Sequence, residues 1–165
     1  MTGLEDVEST GRSLEDSESP AYVDRILVVD RERYEIRLYD LPLRAAVEYE
    51  VRSVYPISVG TDLHNTPRGM YRINTKVKYP AWTMPNSEWI PEELRGTVVP
   101  GGAERNPLKE RWLGVTPPED GIGIHGTGDL DSIGRAASHG CVRMRPADVI
   151  DLYAEVPIGS PCHII

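Results

Sequence analysis

The chain has 165 residues, enough for one domain with a buried core, and carries 18 basic against 26 acidic side chains, a formal net charge of −8. This acidic balance argues against nonspecific nucleic-acid binding, in which Lys and Arg neutralise phosphates. No apolar run approaches the roughly 20 residues of a membrane span. The amino end has neither the basic region nor the apolar run of a signal peptide.

The amino-terminal segment, residues 1–22, is polar, acidic and without periodicity. Its first 20 residues hold six acidic side chains and one Arg. Such a composition is typical of disorder. We therefore interpret residues 1–22 as an acidic tail or leader, followed by a single domain over residues 23–165.

β-rich runs begin at residue 25. The segment RILVVDRERYEIRLYDL has two such runs around a charged turn and predicts a hairpin. The segment VEYEVRSVYPISVG alternates with strand period, and Pro56 within it indicates a bulge or a sheet edge. TPRGMYRINTKVKY predicts another hairpin. Residues 83–106 are rich in proline and are expected to form a capping loop, with a short helical turn near PEELR.

One helix is predicted after residue 145. Pro146 suits the first helical position, because its fixed φ fits a helix and its missing N–H is not needed there. Pro157 ends the helix, and SPCHII predicts a final strand in which Cys162 packs. The residues assigned to the apolar face of the helix are Val149, Ile150, Tyr153 and Val156. Many strands and one helix predict a mainly β domain.

The stretch IHGTGDLDSIGRAASHGCVRM places two histidines and a cysteine among glycines. A cysteine attacks as the thiolate, an imidazole can take its proton, and backbone N–H groups can hold an oxyanion. Cys141 is the candidate nucleophile, and local spacing leaves open whether His125 or His139 is its base. The N–H groups of Gly140 and Cys141 are candidate oxyanion donors. Arg143 is a candidate ligand for a substrate carboxylate.

A zinc site is the chemical alternative. His125, His139 and Cys141 could supply three ligands, but the chain has no pair of cysteines or histidines at the usual ligand spacing. We therefore favour a nucleophile over a metal centre. Arg68 and Arg145 are weaker candidates for binding carboxylates, and His64 and His163 are expected to be ordinary surface or hydrogen-bonded histidines.

The stretch with Cys141 resembles the signature of the L,D-transpeptidase catalytic domain, also called the YkuD domain. The family pattern is a His–Gly pair, a spacer of about a dozen residues, then Ser/Thr-His-Gly-Cys, an apolar residue and Asn or Arg. ILVVDRERYEIRLYD, TPRGMYRI and NPLKERWLGV resemble the family's opening hairpin, its Thr-Pro-x-Gly strand and the segment before the first His. The resemblance covers about residues 23–165.

The resemblance implies a fold and a set of site residues. The fold is a β-sandwich with one or two short helices and a capping loop. His125 would be the general base, oriented by the carbonyl of Gly126, and His139 would support the site. Ser138 and Arg143 would contact the substrate, although many members carry Asn where this chain has Arg143.

The reaction that the resemblance implies is acyl transfer on peptidoglycan. Cys141 would attack the diamino-acid carbonyl of a tetrapeptide stem, release D-alanine and pass the acyl group from a thioester to the amine of another stem. Activity would then follow the formation of a thiolate–imidazolium pair. Water as acceptor would make the protein an L,D-carboxypeptidase, and a wall-peptide binding domain without turnover is the alternative of another class.

Partners and location also follow from the resemblance. The expected partners are donor and acceptor stem peptides, with no nucleic acid, no metal and no cofactor. The expected location is the bacterial cell envelope, and the expected state is a monomer.

Overall fold

The computed structural model describes residues 25–41, 49–117 and 120–165, so the predicted tail lies outside the described residues. Short 3-10 turns span Glu92–Leu94 and Leu130–Ser132, and the single α-helix of these ranges is α1 (Pro146–Glu155). The strands are β1 (Arg25–Asp30), β2 (Glu35–Asp40), β3 (Glu50–Gly60), β4 (Gly69–Arg72), β5 (Thr75–Lys78), β6 (Trp82–Thr83), β7 (Val98–Val99), β8 (Arg111–Gly114), β9 (Gly123–Gly126), β10 (Ala136–Ser138), β11 (Val142–Met144) and β12 (Pro161–Ile164).

Ten strands form one curled sheet. Nine follow the order β4-β12-β1-β2-β3-β11-β9-β8-β5, and β10 pairs with β3. The predicted hairpin at the start of the domain is β1 paired antiparallel with β2, with Leu27 opposite Leu38. The mainly β fold predicted from the sequence is confirmed.

The central strand β3 runs through Pro56 without a break. Pro56 pairs with Glu35 of β2, and the next residue, Ile57, donates its N–H to Tyr34 on that side. Alternate residues of a strand direct their N–H groups to opposite sides, so the Pro56 nitrogen faces the other side. In the described ranges β11 joins that side only from Ile57 onward. Pro56 therefore lies at a local edge, as predicted.

One hydrophobic core lies inside the curl of the sheet, and α1 packs on it. Leu27 on β1 and Ile124 on β9 are both fully buried in the same cluster. The helix face differs from the prediction, because Ile150 is 40% exposed and Leu152 is fully buried. Residues 149, 152 and 156 make the buried stripe at helical spacing, and Ile150 lies about 100° around the helix from Val149. Cys162 packs in this core, as predicted.

The predicted capping loop is a folded excursion. Its base is a small antiparallel sheet in which Trp82 of β6 pairs with Val99 of β7. Buried Asn106 joins the two ends of the excursion, since its side-chain amide donates to the carbonyl of Pro80 at 2.8 Å. The helical turn expected near PEELR is the 3-10 turn Glu92–Leu94.

Helix α1 has ten residues. Within the ranges that the structure describes, no helix is long and apolar enough to cross a membrane.

Candidate active site

Two parallel strands, β9 and β11, bring the site residues together. Val142 lies opposite Ile124, and Arg143 lies opposite His125. Side chains alternate along a strand, so Cys141, Arg143 and His125 project from the same face. The fold therefore places the distant histidine beside the cysteine segment, which local spacing alone could not establish.

His125 is a buried, neutral imidazole. Its Nδ1–H donates to the carbonyl of Gly126 at 2.6 Å. A carbonyl can only accept, so Nδ1 carries the proton and Nε2 is left with its lone pair. Burial, together with the charge of Arg143 and against the opposing effect of the Gly126 hydrogen bond, lowers the pKa of His125 to about 4. Trp112, opposite His125 on β8, stacks with the ring at a centroid distance of 6.0 Å.

Cys141 is a half-buried, protonated thiol. Its Sγ–H donates to the carbonyl of Gly121 at 3.5 Å. Burial raises the pKa of this thiol, while the Gly123 N–H and the Arg143 guanidinium act in the opposite direction. Because burial disfavours the charge on both partners, the resting pair is uncharged. Neutral His125 has a free lone pair on Nε2, so the expected thiolate–imidazolium pair would form by transfer of the Cys141 proton to that atom.

The loop before Cys141 is held by internal hydrogen bonds. Ser138 Oγ accepts the N–H of Gly140 at 3.1 Å and donates to the carbonyl of Cys141 at 2.5 Å. Gly140 has a φ of +115°, and a Cβ there would lie 2.8 Å from Ile122 Cδ1, so glycine is required.

Two predictions for this loop gain no support from its hydrogen bonds and burial. Gly140 N–H is not free for an oxyanion, because Ser138 already accepts it. Ser138 is 2% exposed and braces the loop instead of facing a substrate. Within the described part of the chain the Cys141 N–H makes no hydrogen bond, so it is a donor of this loop that can serve an oxyanion.

His139 lies in a row of rings above the site. It stacks on Trp89 of the excursion at a centroid distance of 4.2 Å and contacts His64 at 4.8 Å. Burial, the neighbouring His64 and the charge of Arg143 all lower the pKa of His139. The sequence offers Trp89 as a residue that could line a cleft or pack in the core or lid, but it gives no sign that His64 lies beside His139, because no local spacing links residues 75 positions apart.

The arginine candidates occupy different surroundings. The Arg143 guanidinium is half-buried and lies 3.9 Å from the Asp129 carboxylate. Its charge affects the pKa of His125, His139 and Cys141 alike. Arg68 instead pairs with Glu32 on the exposed surface. Arg143 is therefore the better placed of the two to meet an anionic substrate group.

The described residues do not form the zinc site considered as an alternative. Over residues 25–41, 49–117 and 120–165, no three His, Cys, Asp or Glu side chains are grouped closely enough to hold a metal ion. Cys141 and Cys162 are both free thiols.

Comparison with known proteins gives a consistent family match. The sequence profile of the L,D-transpeptidase catalytic domain (YkuD) matches residues 24–164. The candidate L,D-transpeptidase YqjB of Bacillus subtilis strain 168 is 30% identical over 146 residues, which cover 87% of this chain and 72% of YqjB.

Solved structures share the fold at lower identity. An L,D-transpeptidase from Mycobacterium smegmatis aligns with a TM-score of 0.64 and 20% identity, over 87% of this chain and 59% of that one. L,D-transpeptidase 3 from Mycobacterium tuberculosis aligns with a TM-score of 0.64 and 19% identity, over 87% of this chain and 61% of that one. The chain thus spans between 49% and 61% of the length of the solved proteins that it matches.

Proposed function

The chain belongs to the L,D-transpeptidase catalytic domain family, and we propose that it is a cysteine-dependent L,D-transpeptidase that cross-links peptidoglycan stems. The observation that carries this proposal is the pairing of β9 with β11, which sets Cys141 and neutral His125 on one face. A buried imidazole with a fixed tautomer beside a thiol is the arrangement that nucleophilic acyl transfer needs.

The first half-reaction forms a thioester. Cys141 Sγ attacks the carbonyl carbon of the diamino acid in a tetrapeptide donor, while His125 Nε2 takes the thiol proton. The Cys141 N–H donates to the oxyanion of the tetrahedral intermediate, a contact worth about 10²–10³ in kcat in other enzymes. The intermediate then collapses as the C–N bond breaks, and D-alanine leaves with the proton from His125.

The second half-reaction releases the enzyme. The side-chain amine of another stem attacks the thioester carbonyl, and His125 takes a proton from that amine. Collapse of the second intermediate breaks the C–S bond, returns the proton to the thiol and leaves a new amide that links two stems. Attack by water instead would release a tripeptide.

The surroundings of Cys141 support a peptide with carboxylate groups as the donor. Arg143 faces the same side as Cys141 and supplies positive charge next to the leaving group. Trp89 and His139 form an aromatic wall beside it. Because the polymerised wall that such cross-links join lies outside the cytoplasmic membrane, we expect the protein to act in the cell envelope.

The test uses a purified disaccharide-tetrapeptide stem with the wild-type protein, Cys141→Ala and His125→Asn. D-alanine release is followed with product masses, and Cys162→Ala is the matched control, since that thiol is buried in the core. The proposal expects D-alanine and stem dimers from the wild type and Cys162→Ala, and neither from Cys141→Ala. Tripeptide without dimer would make the protein a carboxypeptidase. No D-alanine from folded, reduced protein would favour a binding domain.

A further inference from the structure

Thr66 belongs to the Thr-Pro-x-Gly stretch, which the proposed reaction leaves without a role. Its side chain is fully buried between the end of β3 and the loop that carries Cys141. Thr66 Oγ1 accepts the N–H of Gly60 at 2.8 Å and donates to the carbonyl of Gly140 at 2.8 Å. One hydroxyl can do both, so Thr66 connects the central strand to the loop of the nucleophile.

The bond to Gly140 fixes the direction of a second group. The carbonyl of Gly140 and the N–H of Cys141 belong to one planar trans peptide, in which they point in opposite directions. Holding the carbonyl against Thr66 therefore turns the Cys141 N–H away from Thr66. Gly140 has a φ of +115° and no side chain, so its own conformation constrains this peptide weakly.

Thr66 is itself held firmly. The Arg31 guanidinium donates to the carbonyl of Thr66 at 2.5 Å and to the side-chain oxygen of Asn65. A Cβ on Gly60 would lie 2.0 Å from the carbonyl oxygen of His64, which shows how tightly the turn over residues 61–66 folds back on β3. The hydroxyl of Thr66 is thus a preorganised anchor.

We propose that Thr66 is a positioning residue for acyl transfer, which aims the Cys141 N–H at the developing oxyanion by holding the Gly140 carbonyl. Ser138 occupies the Gly140 N–H, whereas the Cys141 N–H has no hydrogen bond within the described residues and belongs to the peptide that Thr66 orients. The inference needs acyl transfer at Cys141, but it does not depend on which peptide is the substrate.

Two reagents separate this role from a general effect on the thiol. p-Nitrophenyl acetate acylates Cys141 through a tetrahedral oxyanion, whereas iodoacetamide alkylates the thiolate by displacement and forms no oxyanion. The quantity measured is the ratio of the two second-order rate constants, after subtraction of the Cys141→Ala background. The variants are Thr66→Val, which keeps the shape and removes the hydroxyl, and Thr66→Ser, which restores the hydroxyl. Ser58→Ala is the matched control.

Ser58 is suitable because it is a fully buried hydroxyl on the same strand, β3, and donates to the carbonyl of Arg135 at 3.0 Å, away from Cys141. We expect Thr66→Val to lower the acylation-to-alkylation ratio about tenfold or more, since one oxyanion donor is worth about 10²–10³. Thr66→Ser and Ser58→Ala should keep the wild-type ratio within about a factor of two, which is much smaller than the fall expected for Thr66→Val.

An unchanged ratio in Thr66→Val would overturn the proposal, and so would an equal fall in both rates. If Thr66→Val does not fold, Thr66→Ser provides the test. A tenfold lower acylation-to-alkylation ratio in folded Thr66→Ser would contradict the proposal. Because neither reagent is a stem peptide, a changed ratio with no turnover of stems would keep this inference and refute the proposed function.

Discussion

The Nδ1–H of His125 donates to the carbonyl oxygen of Gly126 at 2.6 Å, so this imidazole is oriented by its own neighbour in the chain. No carboxylate is needed to fix the tautomer. The cost of this arrangement is that the imidazole is buried, which lowers its pKa to about 4. The site consequently holds a neutral imidazole next to the segment that carries the uncharged Cys141 thiol.

His125 makes stability depend on pH. In the unfolded chain its pKa is near 6.5, so between about pH 6.5 and 4 the unfolded state binds the extra proton and stability falls as pH falls. The free energy of unfolding should fall by about 3 kcal/mol when the whole pH window is crossed. Denaturant unfolding of wild type and His125→Asn from pH 8 to pH 4 measures it. The stability difference between the two should change by up to that amount across the window; a constant difference would refute the buried neutral histidine.

The raised pKa of Cys141 predicts slow alkylation at neutral pH. The thiolate is the reactive form, so the rate with iodoacetamide should rise with pH and level off only above the ordinary thiol value of about 9. His125→Asn should leave this profile nearly unchanged, because the resting histidine is neutral. An inflection below pH 8 that disappears in His125→Asn would instead indicate a preformed ion pair.

Trp89 is predicted to contribute to donor binding. Replacing it with Ala removes the ring that stacks on His139 and frees the excursion above the site. An aromatic pair is worth about 0.5–1.5 kcal/mol, so KM for the stem should rise about 2- to 10-fold with a smaller change in kcat. Leu94→Ala is the control, since Leu94 lies on the same excursion and is 41% exposed. Equal effects in both variants would argue against a specific role for Trp89.

The corrected helix face gives a stability test. Leu152 is fully buried and Ile150 is 40% exposed on the same helix. Leu152→Ala should lower the free energy of unfolding by about 2–5 kcal/mol, because it leaves a cavity in the core. Ile150→Ala should lower the free energy of unfolding by only about 1 kcal/mol or less. Urea unfolding measures the free energy of unfolding of both variants. Comparable losses in the two would mean that both side chains are packed in the core.

The sequence predicts some of the local elements correctly, but the hairpin predicted from TPRGMYRINTKVKY is wrong, because β4 pairs with β12 and β5 pairs with β8. The β1–β2 hairpin follows from two β-rich runs around a charged turn, and α1 follows from Pro146 and helical spacing. Assigning Ile150 to the buried face failed because a ten-residue amphipathic pattern allows two adjacent stripes, and only packing against the sheet selects the one through Leu152.

The site is predictable only in part, for a similar reason. Cys141 is apparent from its motif, but the choice of His125 came from family resemblance, because pairing of β9 with β11 is a long-range event. The use of the Gly140 N–H by Ser138, and the contact of Trp89 with His139, depend on tertiary geometry that no spacing encodes. The same holds for Thr66, 74 positions from the Gly140 carbonyl that it anchors.

The most direct test of the account is to trap the acyl-enzyme. The protein is mixed with a tetrapeptide stem that has no acceptor amine, quenched in acid, and measured as intact protein and as peptides. The account predicts an added mass equal to the stem minus D-alanine, on the peptide that contains Cys141, with none on Cys162. An adduct elsewhere, or undiminished D-alanine release by Cys141→Ala, would contradict a thioester at Cys141.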